Sequence, residues 1–309
     1  MEYIIILASA IIIDMALGDP PNAFHPVAWL GKVISYLVRG GTGLPPVAQF
    51  IYGIVLVLIT LVLFVVPVYF VLVYLQSISF LAYVMVGGLL FKLTFSVTGL
   101  RRAALKIRTP LQEQRLAEAR LELRALVSRD TTNFSEGQVV SATVESLAEN
   151  NCDSFVAPLF YFLLFGIPGA MAYRVINTFD AMIGYHGRWE FLGKFAARAD
   201  DVVNYIPARI SALMIVMAAG ISNNSMSVAW RIMVRDHNKT PSPNAGWTIS
   251  AVAGALGVRL EKRGCYELGD NHFPLSLDTI DASCRIVITA VVVWGLVAII
   301  TEVIRFVAS

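Results

Sequence analysis

From Val47 to Leu75 the chain carries no charged residue. The hydrocarbon core of a bilayer takes about 20 consecutive apolar residues in helical form, and backbone groups there must find their partners within the segment. A run of this length therefore specifies a membrane-spanning helix. The whole chain follows suit, with 57% hydrophobic residues and a mean hydropathy of +0.67, well above soluble averages. A second span is expected over Ser77 to Thr98, interrupted only by Lys92, and a third over Ile286 to Phe306, where Glu302 and Arg305 sit near one end and can snorkel to the interface. Tyr3 to Ile13 is short for a span but nearly suffices if extended to Leu17 with Asp14 at the boundary. With Glu2 as its only early charge, the N-terminus is not expected to be a cleavable signal peptide.

Lysine and arginine set the orientation. Arg101, Arg102, Lys106 and Arg108 follow the second span, and Lys32 and Arg39 precede the first, so both segments are expected on the cytoplasmic side, with Gln76 to Ser79 as an external turn. Two further hydrophobic stretches, Phe155 to Ala172 and Ile206 to Ile221, are short, and the first contains Pro158, Gly166, Pro168 and Gly169. Broken helices at membrane depth are tolerated where they line a cavity or are buried in protein, which favours a re-entrant or cavity-lining role. The expected fold is all-α: one polytopic integral membrane domain over 1–309, with a cytoplasmic helical insertion at 100–154 and a cytoplasmic loop region at 223–284.

Within the first insertion, Thr109 and Pro110 read as a helix start, and Leu116, Ala119, Leu123, Leu126 and Val127 recur at helical spacing. Ser135 with Gln138 reads as a capping box for a helix running to about Asn150. On that helix Glu145 and Glu149, four residues apart, share a face. Like charges at that spacing call for a cation between them: magnesium, an arginine such as Arg129, or a substrate ammonium. The segment Arg198-Ala-Asp-Asp-Val-Val-Asn204 sets Asp200 or Asp201 on one face with Asn204, against an apolar stretch reaching Ile221. Such a set either holds magnesium, with water and phosphate completing the shell, or is a solvated helix end. Asn177, Thr178 and Asp180, and Arg235-Asp236-His237 before Ser242-Pro-Asn-Ala-Gly-Trp247, add polar residues with no obvious structural need; the latter loop offers backbone N–H groups to phosphate.

Several classes are excluded. There is no G-x-x-x-x-G-K-[ST] loop and no G-x-G-x-x-G after a strand. Cys152, Cys265 and Cys284 are too scattered for a metal site or a disulfide framework, and the four histidines lack zinc-site spacing. A net charge of +2 gives no case for nucleic acid.

Taken together these segments resemble the cobinamide-phosphate synthase family of cobalamin biosynthesis (CbiB/CobD). The matching stretches are Asp14-Met-Ala-Leu-Gly-Asp-Pro20 with His25-Pro-Val27; Ser128-Arg-Asp-Thr131; Val144-Glu-Ser-Leu-Ala-Glu-Asn150 with Asp153; Asn177-Thr-Phe-Asp180; Ala197-Arg-Ala-Asp-Asp-Val-Val-Asn204 with Ile206-Pro-Ala-Arg209; and Arg235-Asp-His237 leading to Ser242-Pro-Asn-Ala-Gly-Trp247. They stand in family order over nearly the whole chain. One departure is the Glu-Lys-Arg-Gly-Cys run before Tyr266, where a glycine-rich turn is expected.

The resemblance implies ATP-dependent amide formation between adenosylcobyric acid and (R)-1-amino-2-propanol or its O-phosphate, at the cell membrane, with the site facing the cytoplasm. It implies magnesium held by Asp200, Asp201 and Asn204 with Asp153 or Glu149, and ATP as co-substrate. Glu145, Glu149 and Asp201 are the expected catalytic residues, Glu145 as the general base toward the amine. Arg129, Arg198 and Arg235 are expected on phosphate groups, Asp19 and His25 at the N-terminal side of the site, and Asp130, Asn150, Asn177, Asp180, Arg209, His237, Ser242 and Asn244 among the substrate contacts. The expected partners are membrane lipids and other corrinoid-pathway membrane enzymes. A membrane ligand sensor or transporter without ligase activity is the alternative, although no internal repeat of the transporter kind is found.

Overall fold

A computed structural model describes residues 2–21, 23, 25–185 and 187–308. Among them the regular secondary structure is helical, apart from one β-hairpin. Four helical stretches are long and apolar enough to cross a membrane, Pro46–Ile78, Phe80–Gln112, Glu136–Ile183 and Leu277–Ala308. The protein is a multi-pass helical membrane protein.

The helices sort into two compact units. The first comprises Met1–Ser96, Ala157–Asn204 and Ala298–Ser309. It contains α1 (Glu2–Leu17), α2 (Pro26–Leu37), α3 (Pro46–Ile78), α4 (Phe80–Lys92), and, further along the chain, α8 (Ala157–Ile183) and α9 (Lys194–Val203). The charge-free run becomes α3, most of whose surface is left uncovered by protein, as a lipid-facing helix requires. Its inner face packs Leu56 and Val57 with Leu30 and Ile34 of α2 and Val175 and Phe179 of α8. Close approach is made possible at Gly53, where an added Cβ would fall 2.1 Å from the carbonyl oxygen of Leu192. With 16 residues, α1 is shorter than the four long stretches; its buried residues include Asp14.

The interruption expected in Phe155 to Ala172 is present. Gly166 has φ 67° and ψ −160°, outside the helical region, so α8 is two helical segments meeting at this residue. Leu163, in the turn before the break, has its carbonyl taken by the Arg305 guanidinium at 2.6 Å. Arg305, half-exposed, also binds the buried Glu302 at 2.8 Å, so this pair braces the helix break.

The second unit comprises Val97–Val156 and Tyr205–Val297, and takes in both segments read as cytoplasmic insertions. Its helices are α5 (Val97–Gln112), α6 (Leu116–Leu123), α7 (Glu136–Asn151), α10 (Tyr205–Ile221), α11 (Met226–Asp236) and α12 (Ala245–Leu256), with the greater part of α13 (Leu277–Ala308). The helix start expected at Thr109 and Pro110 is not there, since both residues lie in the last turns of α5. What ends α5 is Gln114 at φ 58°: its N–H bonds to Leu111 O at 3.0 Å, and the Arg115 N–H bonds to Pro110 O at 2.8 Å. That pair of bonds satisfies the terminal carbonyls as a Schellman motif. The capping box at Ser135 and Gln138 forms as expected and opens α7. After α7 a π-helical turn covers Cys152–Val156.

The hairpin pairs β1 (Leu260–Lys262) with β2 (Tyr266–Leu268) in antiparallel register, Lys262 opposite Tyr266. Gly264, at φ 73°, turns the chain with a Cys265 N–H to Lys262 O bond of 2.8 Å. A single glycine thus performs the reversal for which a glycine-rich turn was expected.

Candidate functional site

In the first unit the helical spacing expected for the aspartate pair is realised. Asp200 on α9 accepts the amide N–H groups of Asn204 at 2.9 Å and Asn177 at 3.2 Å. The Asn204 oxygen accepts the Tyr173 hydroxyl at 3.0 Å, and the Asn177 oxygen accepts Arg174 at 3.3 Å. Asn204 is therefore a strut between Asp200 and Tyr173. Asp201 is partly exposed and faces Arg198 at 3.7 Å, a loose pair with the arginine 77% exposed. Asp180 follows Asn177 on α8; Gly184 packs so closely that a Cβ there would fall 1.9 Å from its Oδ1.

A second group lies on the other side of this unit's sequence. Lys92, at the end of α4, reaches Asp14 at 2.8 Å and Asp19 at 2.6 Å with 1% of its side chain exposed. Ser96 donates to the other Asp19 oxygen. Burial pushes the Asp19 carboxyl up, but the bonds from Lys92 and Ser96 outweigh it and hold the group below its ordinary range. His25 Nδ1 accepts the Val27 N–H at 3.2 Å and so caps α2. Burial, aided by the positive charges of Arg174 and Lys92, lowers the His25 pKa against the pull of Asp19. His25 thus feels Lys92 and Asp19 on one hand and Arg174 on the other.

In the second unit the cation expected beside Glu145 is Arg129. Glu145, buried on α7, accepts Arg129 at 3.1 Å and the Tyr266 hydroxyl at 2.8 Å on Oε2, and Ser141 at 2.9 Å on Oε1. Ser141 in turn accepts the Glu261 N–H at 3.0 Å, so two α7 side chains tether the hairpin. Burial and the neighbouring Glu145 charge push the Tyr266 phenol far up, which keeps it protonated and donating. Glu149, one turn further, is exposed. Asn150 donates to Ser146 O of its own helix at 2.9 Å. Asp130 is exposed and closes an Asx turn with Thr132 at 3.0 and 2.6 Å. Asp153 lies in the π turn, partly buried.

Arg235 was expected on phosphate; the structure engages it with Asp236 through two bonds of 2.7 Å and with Asp270 at 2.8 Å. The buried Asp236 also takes Lys239 at 2.6 Å and the Gly269 N–H at 2.8 Å. Despite burial, these donors hold its carboxyl far below the ordinary range. Arg209 is stacked between Tyr205 and Trp247, 3.5 and 4.9 Å from their centroids, and donates to Asn244 at 3.3 Å. His237 stacks on Trp247 at 4.0 Å. Ser242 accepts the N–H groups of Asn244 and Ala245 at 3.2 and 3.3 Å and so leads into α12.

The site candidates thus divide between the units: Asp19, His25, Asn177, Asp180, Arg198, Asp200, Asp201 and Asn204 in the first, the others in the second. Sequence reasoning missed Lys92, Ser96, Tyr173, Arg174 and Ser141 as members of these networks. Lys92 carried a usable signal, since a lone charge in an apolar span calls for a named partner. Tyr173 and Arg174 stand four and three residues before Asn177, the spacing of helix neighbours.

Among the described residues no three His, Cys, Asp or Glu side chains gather into a ready metal cage. Magnesium does not demand one, because it is commonly held by one or two carboxylates with waters and substrate phosphates. Asp200 and Asp201 fit that donor set.

A family model described as CobD/Cbib protein matches residues 7–301. The chain is 54% identical over 299 residues to a protein of Dehalococcoides mccartyi (strain CBDB1) named cobalamin biosynthesis protein CobD, covering 97% of each. It is 41% identical over 273 residues to a probable cobalamin biosynthesis protein CobD of Methanothermobacter thermautotrophicus, covering 87% of this chain and 88% of the other. With cobalamin biosynthesis protein CbiB of Salmonella typhi it shares 36% identity over 299 residues, 89% of this chain and 90% of that one. No solved structure matches.

Proposed function

The chain belongs to the CobD/CbiB family of cobalamin biosynthesis, and on that premise we propose that it is the ligase that joins adenosylcobyric acid to (R)-1-amino-2-propanol or its O-phosphate. ATP would supply the driving force: its terminal phosphoryl group passes to a propionate oxygen of the corrinoid and ADP leaves. The amine nitrogen then attacks the acyl carbon, inorganic phosphate departs, and the amine gives up a proton to a carboxylate. Activation is needed because a carboxylate is a poor acceptor for an amine.

The observation that carries this reading is the pair Asp200 and Asp201, one fixed by two amide donors and one left partly open. These residues would hold magnesium, which when bound neutralises charge on the phosphates of ATP. Asp19 and His25 would bind the amine-bearing substrate. Glu145 is buried and its two oxygens accept Arg129, Tyr266 and Ser141, which makes it a positioning residue for the hairpin. ATP use places the reaction on the cytoplasmic side of the cell membrane.

The test is turnover by the purified full chain in detergent with adenosylcobyric acid, ATP, magnesium and aminopropanol phosphate. Asp201→Asn is expected to lower coupling at least 100-fold while the protein remains folded. Near-normal turnover by that variant would remove Asp201 from the metal site. Corrinoid binding by the wild type with no ATP-dependent amide product would favour a ligand sensor instead.

A further inference from the structure

Lys92 has a saturated environment. Its ammonium group forms an ion pair with Asp14 at 2.8 Å and donates to Asp19 at 2.6 Å and to the Phe95 carbonyl at 3.4 Å. With 1% of its side chain exposed, it has no room for a ligand of its own. Its partners differ: the Asp14 side chain is 3% exposed and that of Asp19 is 29% exposed. Two carboxylates on one ammonium leave a net negative charge, and the side open to a ligand is Asp19. Ser96, one turn further along the chain, binds the second Asp19 oxygen, so that carboxylate is gripped at both ends by residues from the end of α4 and the turn after it.

We propose that Lys92 is a positioning residue for the amine-bearing substrate: with Ser96 it fixes the Asp19 carboxylate, ionised and in one orientation, so that its open side receives the substrate ammonium group. Asp14 serves as the buried counter-charge that keeps Lys92 in place. This rests on the ligase reading above for the identity of the substrate, but the hold on Asp19 is a property of the fold. Charge explains the selectivity, since a fixed anion at Asp19 favours a cationic amine over the anionic phosphates of ATP.

The experiment compares wild type, Lys92→Met, Lys92→Arg and Ser96→Ala as full chains in detergent, reading amide hydrogen exchange at residues 14–19 and the KM of each substrate. Lys92→Met is expected to raise exchange there and the KM for the amine at least tenfold, with the KM for ATP within twofold. Lys92→Arg should recover part of both effects by restoring the cation. Ser96→Ala should shift both in the same direction by a smaller factor, about threefold, and it decides the matter if Lys92→Met does not fold. Unchanged exchange and amine KM in Ser96→Ala and Lys92→Met would overturn the proposal, as would an equal rise in the KM of every substrate. If the wild type forms no amide, the ligase reading fails on its own, and the exchange data still decide whether Lys92 and Ser96 hold Asp19.

Discussion

In the first unit a buried cation, Lys92, stands between two carboxylates; in the second a buried carboxylate, Asp236, stands between two cations. The arrangements mirror each other in sign but not in solvation. The Lys92 side chain is 1% exposed, and its partner Asp14 is 3% exposed. Arg235 and Lys239 are 45% and 46% exposed. Water can therefore replace Asp236 for its partners, whereas Lys92 and Asp14 are both closed to water. The lesson is that the exposure of the partners left behind governs the cost of a lost ion pair, more than its length does.

The sharpest way to break this comparison is Lys92→Met. It removes the cation from a buried ion pair, and about 3–5 kcal/mol of unfolding free energy should be lost, measured by denaturant unfolding in detergent. A loss near 1 kcal/mol would show that the two networks are alike after all. Asp236→Asn comes next, at about 1.5–3 kcal/mol, because the charge-assisted bonds go but the freed cations turn to solvent. Its sign with pH is fixed by the lowered carboxyl: a group whose folded pKa is depressed adds stability above its unfolded value, near 4, and loses it as pH falls toward the folded value. The gap between wild type and Asp236→Asn should therefore be full at pH 6 and shrink below about pH 4. The smallest effect belongs to Arg198→Ala. Its pair with Asp201 is 3.7 Å long and open to water, so the change in stability should stay within about 0.5 kcal/mol.

How much of this was legible in the sequence depended on whether a feature is local. The charge-free run of α3, the Ser135–Gln138 capping box and the interruption at Gly166 all follow from residues close in the chain, and all are present. Asp200 and Asn204 likewise share a face as their spacing required. Long-range pairing was only partly visible. Arg129 was one of several candidates for the cation beside Glu145, but Tyr266 lies 121 residues from Glu145, and no local pattern joins them. The Thr109–Pro110 start failed because two local signals competed: proline suits a first turn, yet it is also tolerated near the end of α5, where Gln114 provides the stop. The contacts of the Asn204 side chain were not legible for a different reason, since an amide carries a donor as well as an acceptor, and spacing does not say which end faces the neighbour.

The broken helix α8 has a consequence for synthesis. Its Leu163 carbonyl, beside the Gly166 break, is met by Arg305, which stands 142 residues later in the chain. At translation rates of about 5–20 residues per second, the segment emerges on the order of ten seconds before its brace exists. During that interval the break must lean on something else, such as lipid headgroups, water or the insertion machinery. Arg305→Ala should accordingly show its first effect on the yield of inserted chain, before any effect on the finished molecule.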